Sequence, residues 1–203
     1  MSDAPKLPGA LWSPRSPQET VRLYDDWAAS YDTDMDGSGY VGPARCARIA
    51  ARVAAGATAH DLGCGTGLAG IALRQEGFET IDGSDVSDAM LVKARARNLY
   101  RSLTLSDPAT PPVIAADATL VVACGVISFG AGPASLLVET LKRLPDGGWL
   151  VFTYNDTTLR DADYMGALAD VQANGLARLE LAEYGPQLPA QGRGCTVHAL
   201  RRL

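Results

Sequence analysis

Histidine and cysteine are both scarce in this sequence, with two His and four Cys among 203 residues. The cysteines are Cys46, Cys64, Cys124 and Cys195, and they form neither a CxxC pair nor a cluster with histidine. This spacing matches no zinc site and no redox-active dithiol. We therefore expect no metal, and we interpret the thiols as small buried side chains in a reducing compartment.

Basic residues are in the minority, with 18 Lys and Arg against 23 Asp and Glu and a net charge of −5. This balance argues against a nucleic-acid backbone or an anionic membrane as the main partner. The densest basic stretch, KARARNLYR, puts Lys93, Arg97 and Arg101 on one face of a predicted helix. We interpret that face as solvated, with a docking patch as the alternative.

Long uninterrupted apolar runs are also missing. Residues 118–138 are uncharged, but Gly125, Gly130 and Pro133 interrupt them, so we expect no membrane helix. The opening MSDAPKLPGALWSPRSP lacks a basic-then-apolar signal segment and is typical of a flexible Pro-rich arm over residues 1–16. We therefore expect a cytoplasmic protein whose residues 17–203 form one domain.

Strand and helix signals alternate along the chain. Strand-like stretches begin near residues 57, 79, 102, 119, 149, 176 and 195, with helical patterns between most of them. Such alternation predicts an α/β fold, a Rossmann-like, doubly wound and mostly parallel seven-stranded sheet. Ligands of these sheets bind beyond the carboxyl ends of the strands, where strand order reverses. The first strand–loop–helix unit therefore indicates the site.

That first unit contains a glycine loop, AHDLGCGTGLAG at residues 59–70. Two patterns fit the loop. One is the spacing of Gly63, Gly65 and Gly67, and the other is GTGLAG at residues 65–70, which satisfies the dinucleotide fingerprint. A fingerprint without matching surroundings is weak, so the neighbouring residues must decide which ligand the loop binds.

Two acidic residues flank the loop. Asp61 lies two residues before the first glycine, where its carboxylate would repel a diphosphate but suits a ligand with an ammonium group. Asp85 lies 18 residues after Gly67, at the end of the second strand, where it can accept hydrogen bonds from a ribose diol. An ammonium and a ribose without a phosphate describe S-adenosylmethionine (SAM). An NAD(P)-dependent oxidoreductase that uses GTGLAG remains the alternative.

Two motifs resemble those of the class I SAM-dependent methyltransferases: DLGCGTG at 61–67 and GSDVSDAMLVKAR at 83–95. The resemblance spans residues 17–155, with weaker support at 103–107, 120–129 and 141–155. YDDWAASYD resembles the lid of the small-molecule branch. DGSGYVGP and ACGVISFGAGP resemble the methyltransferase-like group related to the Williams–Beuren region protein. The resemblance implies lid helices within residues 17–56 that close over the cofactor and open for exchange.

The resemblance also implies a site for SAM and for its product, S-adenosylhomocysteine. Tyr31 would reach the methionine carboxylate, Val86 would flank the adenine, and Asp107 would receive the adenine amino group. Simple packing of Val86 and an Asx turn at Asp107 are the structural alternatives. The whole expected set is Tyr31, Asp61, Gly63, Cys64, Gly65, Thr66, Gly67, Asp85, Val86, Ser87, Asp107, Cys124 and Gly125.

Three members of this set carry further alternatives. Ser87 would begin the helix beneath the adenine, or act as an N-cap alone. Cys124 and Gly125 end the fourth strand, where the resemblance implies that the backbone turns toward the sulfonium. Gly125 suits a close approach because it lacks a Cβ, whereas packing alone accounts for Cys124.

Groups for acid–base catalysis are few. Many small-molecule members have a histidine just after the fourth strand, where this chain has Ser128. His60 and His198 fall within predicted strands, and we expect structural roles for both. The weak catalytic candidates are Tyr40, Asp36, Tyr154 and Asn155. We expect in-line methyl transfer to a small-molecule acceptor, with no nucleic acid as partner. A non-catalytic SAM-binding protein is the alternative from another class.

Overall fold

The computed structural model describes residues 5–203. Three helices precede the sheet: α1 (Pro17–Trp27), α2 (Tyr31–Gly37) and α3 (Gly42–Ala54). The remaining elements are β1 (Ala59–Leu62), α4 (Leu68–Gln75), β2 (Ile81–Asp85), α5 (Asp88–Ala96), β3 (Ser102–Leu105), β4 (Leu120–Ala123), α6 (Ser135–Leu141), β5 (Trp149–Asn155), α7 (Ala162–Ala173), β6 (Ala177–Leu188) and β7 (Arg193–Arg202).

The strands form one seven-stranded sheet in the order β3-β2-β1-β4-β5-β7-β6. Strands β1 to β5 pair in parallel, whereas β7 is antiparallel to both β5 and β6. This confirms the predicted fold class. Strand order reverses between β1 and β4, so the crevice at their carboxyl ends is where a ligand is expected.

Helices cover both faces of the sheet. Helices α3 and α4 pack on one face, where Ile49 and Leu73 lie against Val122. Helices α6 and α7 pack on the other, where Leu137 contacts the cluster that contains Val121. Neighbouring residues of β4 point to opposite faces of the sheet, and helices cover both faces. Both sides of this strand are therefore buried, as its apolar sequence predicts.

The N-terminal helices differ from the prediction in two ways. Residues 17–33 do not form one helix, and the stretch expected to be a polar break contains α2. The carboxylate of Asp34 explains the break after α1, because it accepts hydrogen bonds from Trp27 Nε1 at 2.7 Å and from Ser30 Oγ at 2.8 Å. Helix α3 is also not a lid helix, since Cys46 and Ile49 are buried in the core.

The described part of the predicted N-terminal arm, residues 5–16, packs on the domain, whereas residues 1–4 lie outside the described residues. The Arg193 guanidinium lies 3.8 Å from the ring centre of Trp12. Arg15 donates hydrogen bonds to the carbonyls of Ala10 and Gly130. The expectation of a flexible arm therefore missed these tertiary contacts. Within residues 5–203, no helix has the length and apolar character needed to cross a membrane.

Candidate functional site

A cavity of about 800 Å³ opens at the carboxyl ends of the parallel strands. It lies at the crevice between β1 and β4, with the end of β2 forming one wall. Many residues of the expected cofactor set line it: Tyr31, Gly63, Gly65, Asp85, Val86, Asp107, Cys124 and Gly125. The location therefore agrees with the rule for doubly wound sheets.

A smaller pocket of about 30 Å³ adjoins this cavity between α2 and the glycine loop. Cys64 and Thr66 line it together with Tyr40, while Tyr31, Gly63, Gly65 and Cys124 contribute to both spaces. The two spaces thus form a wide cavity with a narrow extension beside α2.

Asp85 is held in a fixed position on the cavity wall. One carboxylate oxygen accepts from the backbone N–H of Gly65 at 2.7 Å, and the other accepts from the N–H of Ser87 at 2.9 Å. Burial raises the pKa of Asp85, while the backbone N–H groups of Ser87, Gly65 and Val86 lower it. Each carboxylate oxygen has further acceptor capacity, so the residue can bind a ribose diol while it supports the loop.

The glycines of the loop serve different purposes. Gly63, at φ 64°, faces Val126, whose Cγ2 atom would lie 2.4 Å from an added Cβ. Gly65, at φ 54°, has no atom within 4 Å of an added Cβ and so leaves space for a ligand. Gly67 instead lies against the side chain of Arg97, 2.9 Å from the position of a Cβ. Gly67 lines neither space, and its role in cofactor binding stays a prediction.

Asp61 lies beneath the loop and does not line either cavity. The residue is only 1% exposed, and one carboxylate oxygen accepts from the Tyr100 hydroxyl at 2.7 Å. Burial raises the pKa of Asp61 to about 7, and the hydrogen bond from Tyr100 opposes this shift. The sequence correctly places Asp61 next to the loop, but the structure separates its carboxylate from direct contact with a ligand.

Ser87 also lies outside the cavities. Its hydroxyl accepts from the Met90 N–H at 3.1 Å and donates to Asp25 at 2.5 Å, so it caps α5 and anchors α1. Asp107 lines the cavity and also accepts from the Ala109 N–H at 2.9 Å. The Asx turn and the ligand-facing position that the sequence left open for Asp107 therefore occur together.

Gly70, the last glycine of GTGLAG, packs against a tyrosine. A Cβ at this position would lie 2.3 Å from the Tyr100 hydroxyl oxygen. The same ring covers Gly83, where an added Cβ would lie 3.0 Å from Tyr100 Cε1. Gly70 thus serves the packing of Tyr100 and lines neither space, so GTGLAG gives no specific support to the oxidoreductase alternative.

Two comparisons with known proteins agree with this geometry. Residues 60–150 match a family model described as a methyltransferase domain. Methyltransferase-like protein 27 of Homo sapiens is 32% identical over 158 residues, which cover 74% of this chain and 63% of the human protein. Both comparisons therefore show that the chain is similar to methyltransferases, with residues 60–150 matching the domain itself. The chain spans less than two thirds of the length of this curated relative.

Solved structures share the fold of this chain. The [4+2]-cyclase SpnF has a TM-score of 0.70 at 17% identity, with 94% of this chain and 98% of that chain covered. A TehB-like SAM-dependent methyltransferase from Corynebacterium glutamicum has a TM-score of 0.60 at 19% identity, with 93% and 100% covered. At these identities the likeness concerns the fold alone.

Three of the four catalytic candidates lie away from the cavities. Tyr154 is fully buried and donates to the Tyr164 carbonyl at 3.3 Å. Asn155 uses its side-chain oxygen to accept from the Thr158 N–H at 2.9 Å, which fixes the turn after β5. Asp36 is exposed on α2. None of these three side chains lines either space, so the geometry lends no support to their predicted catalytic roles.

Tyr40 is the catalytic candidate that remains near the site. Its hydroxyl lies 3.2 Å from Cys124 Sγ, at the carboxyl end of β4. Burial and the neighbouring Cys124 raise the pKa of Tyr40 well above its ordinary value. The phenol is therefore protonated near neutral pH, which suits a hydrogen-bonding role and excludes a role as general base.

Both histidines have structural roles, as predicted. His60 Nε2 lies 2.9 Å from Ser84 Oγ, and Nδ1 lies 3.2 Å from the backbone nitrogen of Ala115, which donates to it. His198 stacks on Phe152 with ring centres 5.0 Å apart. Burial lowers the pKa of each histidine to about 4. Among residues 5–203, no His, Cys, Asp and Glu side chains form a group suited to a metal ion.

The predicted basic face does not exist as one solvated surface. Helix α5 ends at Ala96, and Arg97 forms an ion pair with Asp32 at 2.6 Å. Arg101 pairs with Asp117 at 2.7 Å and also with Asp82, which is buried. These two arginines form tertiary ion pairs that no local sequence pattern indicates.

Several cavity residues were missed by the sequence reasoning. Arg15, Phe129, Leu136, Glu139 and Tyr164 line the same cavity as Asp85. They come from the N-terminal arm, the loop after β4, α6 and α7, which lie far apart in sequence. The apolar stretch GVISFGAGP was the available signal, since it follows the central strand that borders the site.

Proposed function

We propose that this methyltransferase transfers the methyl group of SAM to a small-molecule acceptor. The observation that carries the proposal is one cavity that is lined by Asp85, Asp107 and Gly125 together with Phe129 and Tyr164. Its volume of about 800 Å³ lies within the range of about 300–1,000 Å³ that is common for small-molecule sites. Space therefore remains for an acceptor beside the cofactor.

The residues at one end suit SAM. Asp85 would hold the ribose, Val86 and Asp107 would border the adenine, and Tyr31, which lines both spaces, would border the methionine part. When bound, SAM supplies a methyl group that is already activated on a sulfonium. The enzyme then aligns the reacting groups and excludes water. Alignment alone can lower the activation barrier by about 7–11 kcal/mol.

Residues at the end of β4 would position the reacting groups. The Gly125 N–H donates to Thr153 Oγ1 at 2.8 Å, which fixes the backbone turn. Gly125 adopts φ 78°, and an added Cβ would lie 3.4 Å from the Tyr40 hydroxyl. We infer that Tyr40 orients a bound ligand through its hydroxyl, while transfer proceeds without a dedicated base.

The far part of the cavity favours a small acceptor over a nucleic acid. Glu139, Asp161 and Asp163 contribute carboxylates to its lining, and the arm crosses it where Arg15 binds the Gly130 carbonyl. These charges would repel a phosphate backbone. We also propose a cytoplasmic location, which the four free cysteines support because thiols persist in reducing compartments.

An assay with radiolabelled SAM in a metabolite extract tests the proposal. The label is expected in the small-molecule fraction, with RNA, DNA and protein unlabelled. Label confined to a macromolecular fraction would overturn the choice of acceptor. Tight binding of SAM with no transfer to any fraction would instead favour the non-catalytic SAM-binding alternative, which the lack of a histidine after β4 supports.

A further inference from the structure

Tyr100 occupies a slot that glycines create beneath the cofactor loop. It follows α5, and its ring lies so close to Gly70 and Gly83 that an added Cβ would approach it within 2.3 and 3.0 Å. A Cβ at Gly67 would lie 3.4 Å from the same ring. The hydroxyl at the end of this ring donates to Asp61 at 2.7 Å. Tyr100 therefore connects the glycine loop with the buried carboxylate of β1.

Asp61 has little other stabilisation for its negative charge. Its second carboxylate oxygen has no hydrogen-bond partner among the described residues, and no described Lys, Arg or His forms an ion pair with it. The groups that face it are Asp85, Cys64 and the backbone of Gly70, beside Tyr100. Burial and Asp85 raise the pKa of Asp61, whereas Tyr100 and the Gly70 N–H lower it.

The position of Asp61 brings this charge close to a bound ligand. Two residues after it, Gly63 lines both the wide cavity and the narrow pocket. A charge in a poorly solvated interior interacts with a neighbouring charge more strongly than it would in water. A cationic ligand above the loop therefore favours the ionised form of Asp61, even without direct contact.

We propose that Tyr100 is a positioning residue that favours the ionised form of Asp61 beneath the glycine loop, so that the buried charge favours the ammonium-bearing methionine part of the cofactor. The inference rests on the proposed use of SAM. It assigns Tyr100, which no motif singles out, a role in setting the pH range of cofactor binding. It also explains why glycine is required at positions 70 and 83, because larger residues would displace the tyrosine.

Isothermal titration of two ligands tests this role. S-adenosylhomocysteine carries the ammonium group, and 5′-methylthioadenosine has the same nucleoside without the amino acid. Each is titrated into the wild type, Tyr100→Phe and Asp61→Asn between pH 6 and 8.5. Comparing proteins with one ligand cancels the titration of the ligand's own amine.

For Tyr100→Phe we expect about tenfold weaker binding of S-adenosylhomocysteine at pH 7, because one hydrogen bond to a charged group is lost. The pH at which affinity rises should also move upward. In Asp61→Asn the protein's share of the pH dependence should disappear. Binding of methylthioadenosine should be nearly the same in all three proteins.

Equal losses for both ligands at every pH, or an unchanged pH profile in Tyr100→Phe, would overturn the inference and leave a packing role. Should Tyr100→Phe fail to fold, a pH profile of Asp61→Asn that matches the wild type would overturn it, and a flattened profile would support it. If neither ligand binds the wild type, the proposed function itself fails. By contrast, binding of both ligands with identical pH profiles in all three proteins would overturn the role of Tyr100 alone.

Discussion

The guanidinium of Arg97 pairs with the carboxylate of Asp32 at 2.6 Å, which joins the residue just after α5 to the lid helix α2. The same carboxylate accepts from Thr66 Oγ1 at 2.5 Å, and Arg97 Nε donates to the Thr66 carbonyl. Hydrogen bonds thus hold both the hydroxyl and the carbonyl group of Thr66 in the glycine loop. Because Tyr31 neighbours Asp32 and lines both spaces, this link fixes the lid tyrosine over the site.

Replacing Arg97 with alanine should loosen the lid. The Arg97 and Asp32 side chains are 24% and 45% exposed, so solvent screening limits the loss. We expect roughly three- to tenfold weaker binding of S-adenosylhomocysteine, as charge-assisted bonds of this kind are lost. Titration calorimetry measures this change. Arg95→Ala is the matched control, because Arg95 lies 3.6 Å from exposed Asp88, and unchanged affinity is expected. Equal affinities in both variants would show that the lid does not depend on Arg97.

Substituting Gly70 with alanine should destabilise the fold by about 1–3 kcal/mol, the usual cost of overpacking. The added methyl group would collide with the Tyr100 hydroxyl at 2.3 Å. Gly166→Ala on α7 is the control, since no atom lies within 4 Å of its added Cβ. It should raise stability by about 0.5–1 kcal/mol through better helix propensity. Chemical denaturation measures both effects, and equal stabilities of the two variants would contradict this packing.

The fold was largely predictable because hydrophobic patterns and turn glycines are local signals. Trp149–Asn155 matches the predicted fifth strand, and helix α4 ends at Gln75 as expected. The break after α1 was missed because the side chain of Asp34 creates it through Trp27 and Ser30. A single sequence gives no direct sign of such contacts.

The cofactor end of the site was predictable to a similar degree, and the acceptor end was not. Gly65 and Asp85 belong to two recognisable motifs, and the Gly65 N–H donates to the Asp85 carboxylate at 2.7 Å. Asp61 has the right place in that region, but Tyr100 captures its side chain. Arg15 and Tyr164 lie 149 positions apart (164 − 15) and line one cavity. Only the tertiary fold brings them together.

Asp61→Asn should change how stability depends on pH. The pKa of the folded carboxyl is about 7 against an ordinary value of 3.8, so the unfolded chain binds fewer protons between these values. Wild-type stability therefore loses about 1.4 kcal/mol per pH unit from this group as pH rises from about 4 to 7. The variant avoids this loss, so its stability relative to the wild type should increase across that window and level off above it.

Denaturant unfolding at several pH values measures this difference. His60 and His198, each with a pKa of about 4, act in the opposite direction but are present in both proteins, so the comparison cancels them. A constant difference between the two proteins from pH 4 to 8 would show that Asp61 does not titrate in this range.

Gly130→Ala should release the N-terminal arm. Gly130 adopts φ 87°, and an added Cβ would lie 2.6 Å from the Leu11 carbonyl oxygen. The Leu11 carbonyl cannot move aside as a flexible side chain can, so the arm should detach from the cavity. Trypsin should then cleave after Arg15 at least severalfold faster, as followed by mass spectrometry. Gly9→Ala, with no atom within 4 Å of its Cβ, should cleave at the wild-type rate, and equal rates in the two variants would contradict this arrangement.

The central claim is that Asp85 and the glycine loop bind the nucleoside part of SAM. Titration of S-adenosylhomocysteine into the wild type and Asp85→Ala tests it most directly, with the melting temperature of each apo protein as the check on folding. We predict at least about tenfold weaker binding by the variant, because hydrogen bonds to a charged group are lost, while the apo protein stays folded with a lower melting temperature, since the Gly65 and Ser87 N–H groups lose their acceptor. Equal affinity in a folded variant would contradict the claim, as would wild-type binding of NADH without any binding of S-adenosylhomocysteine.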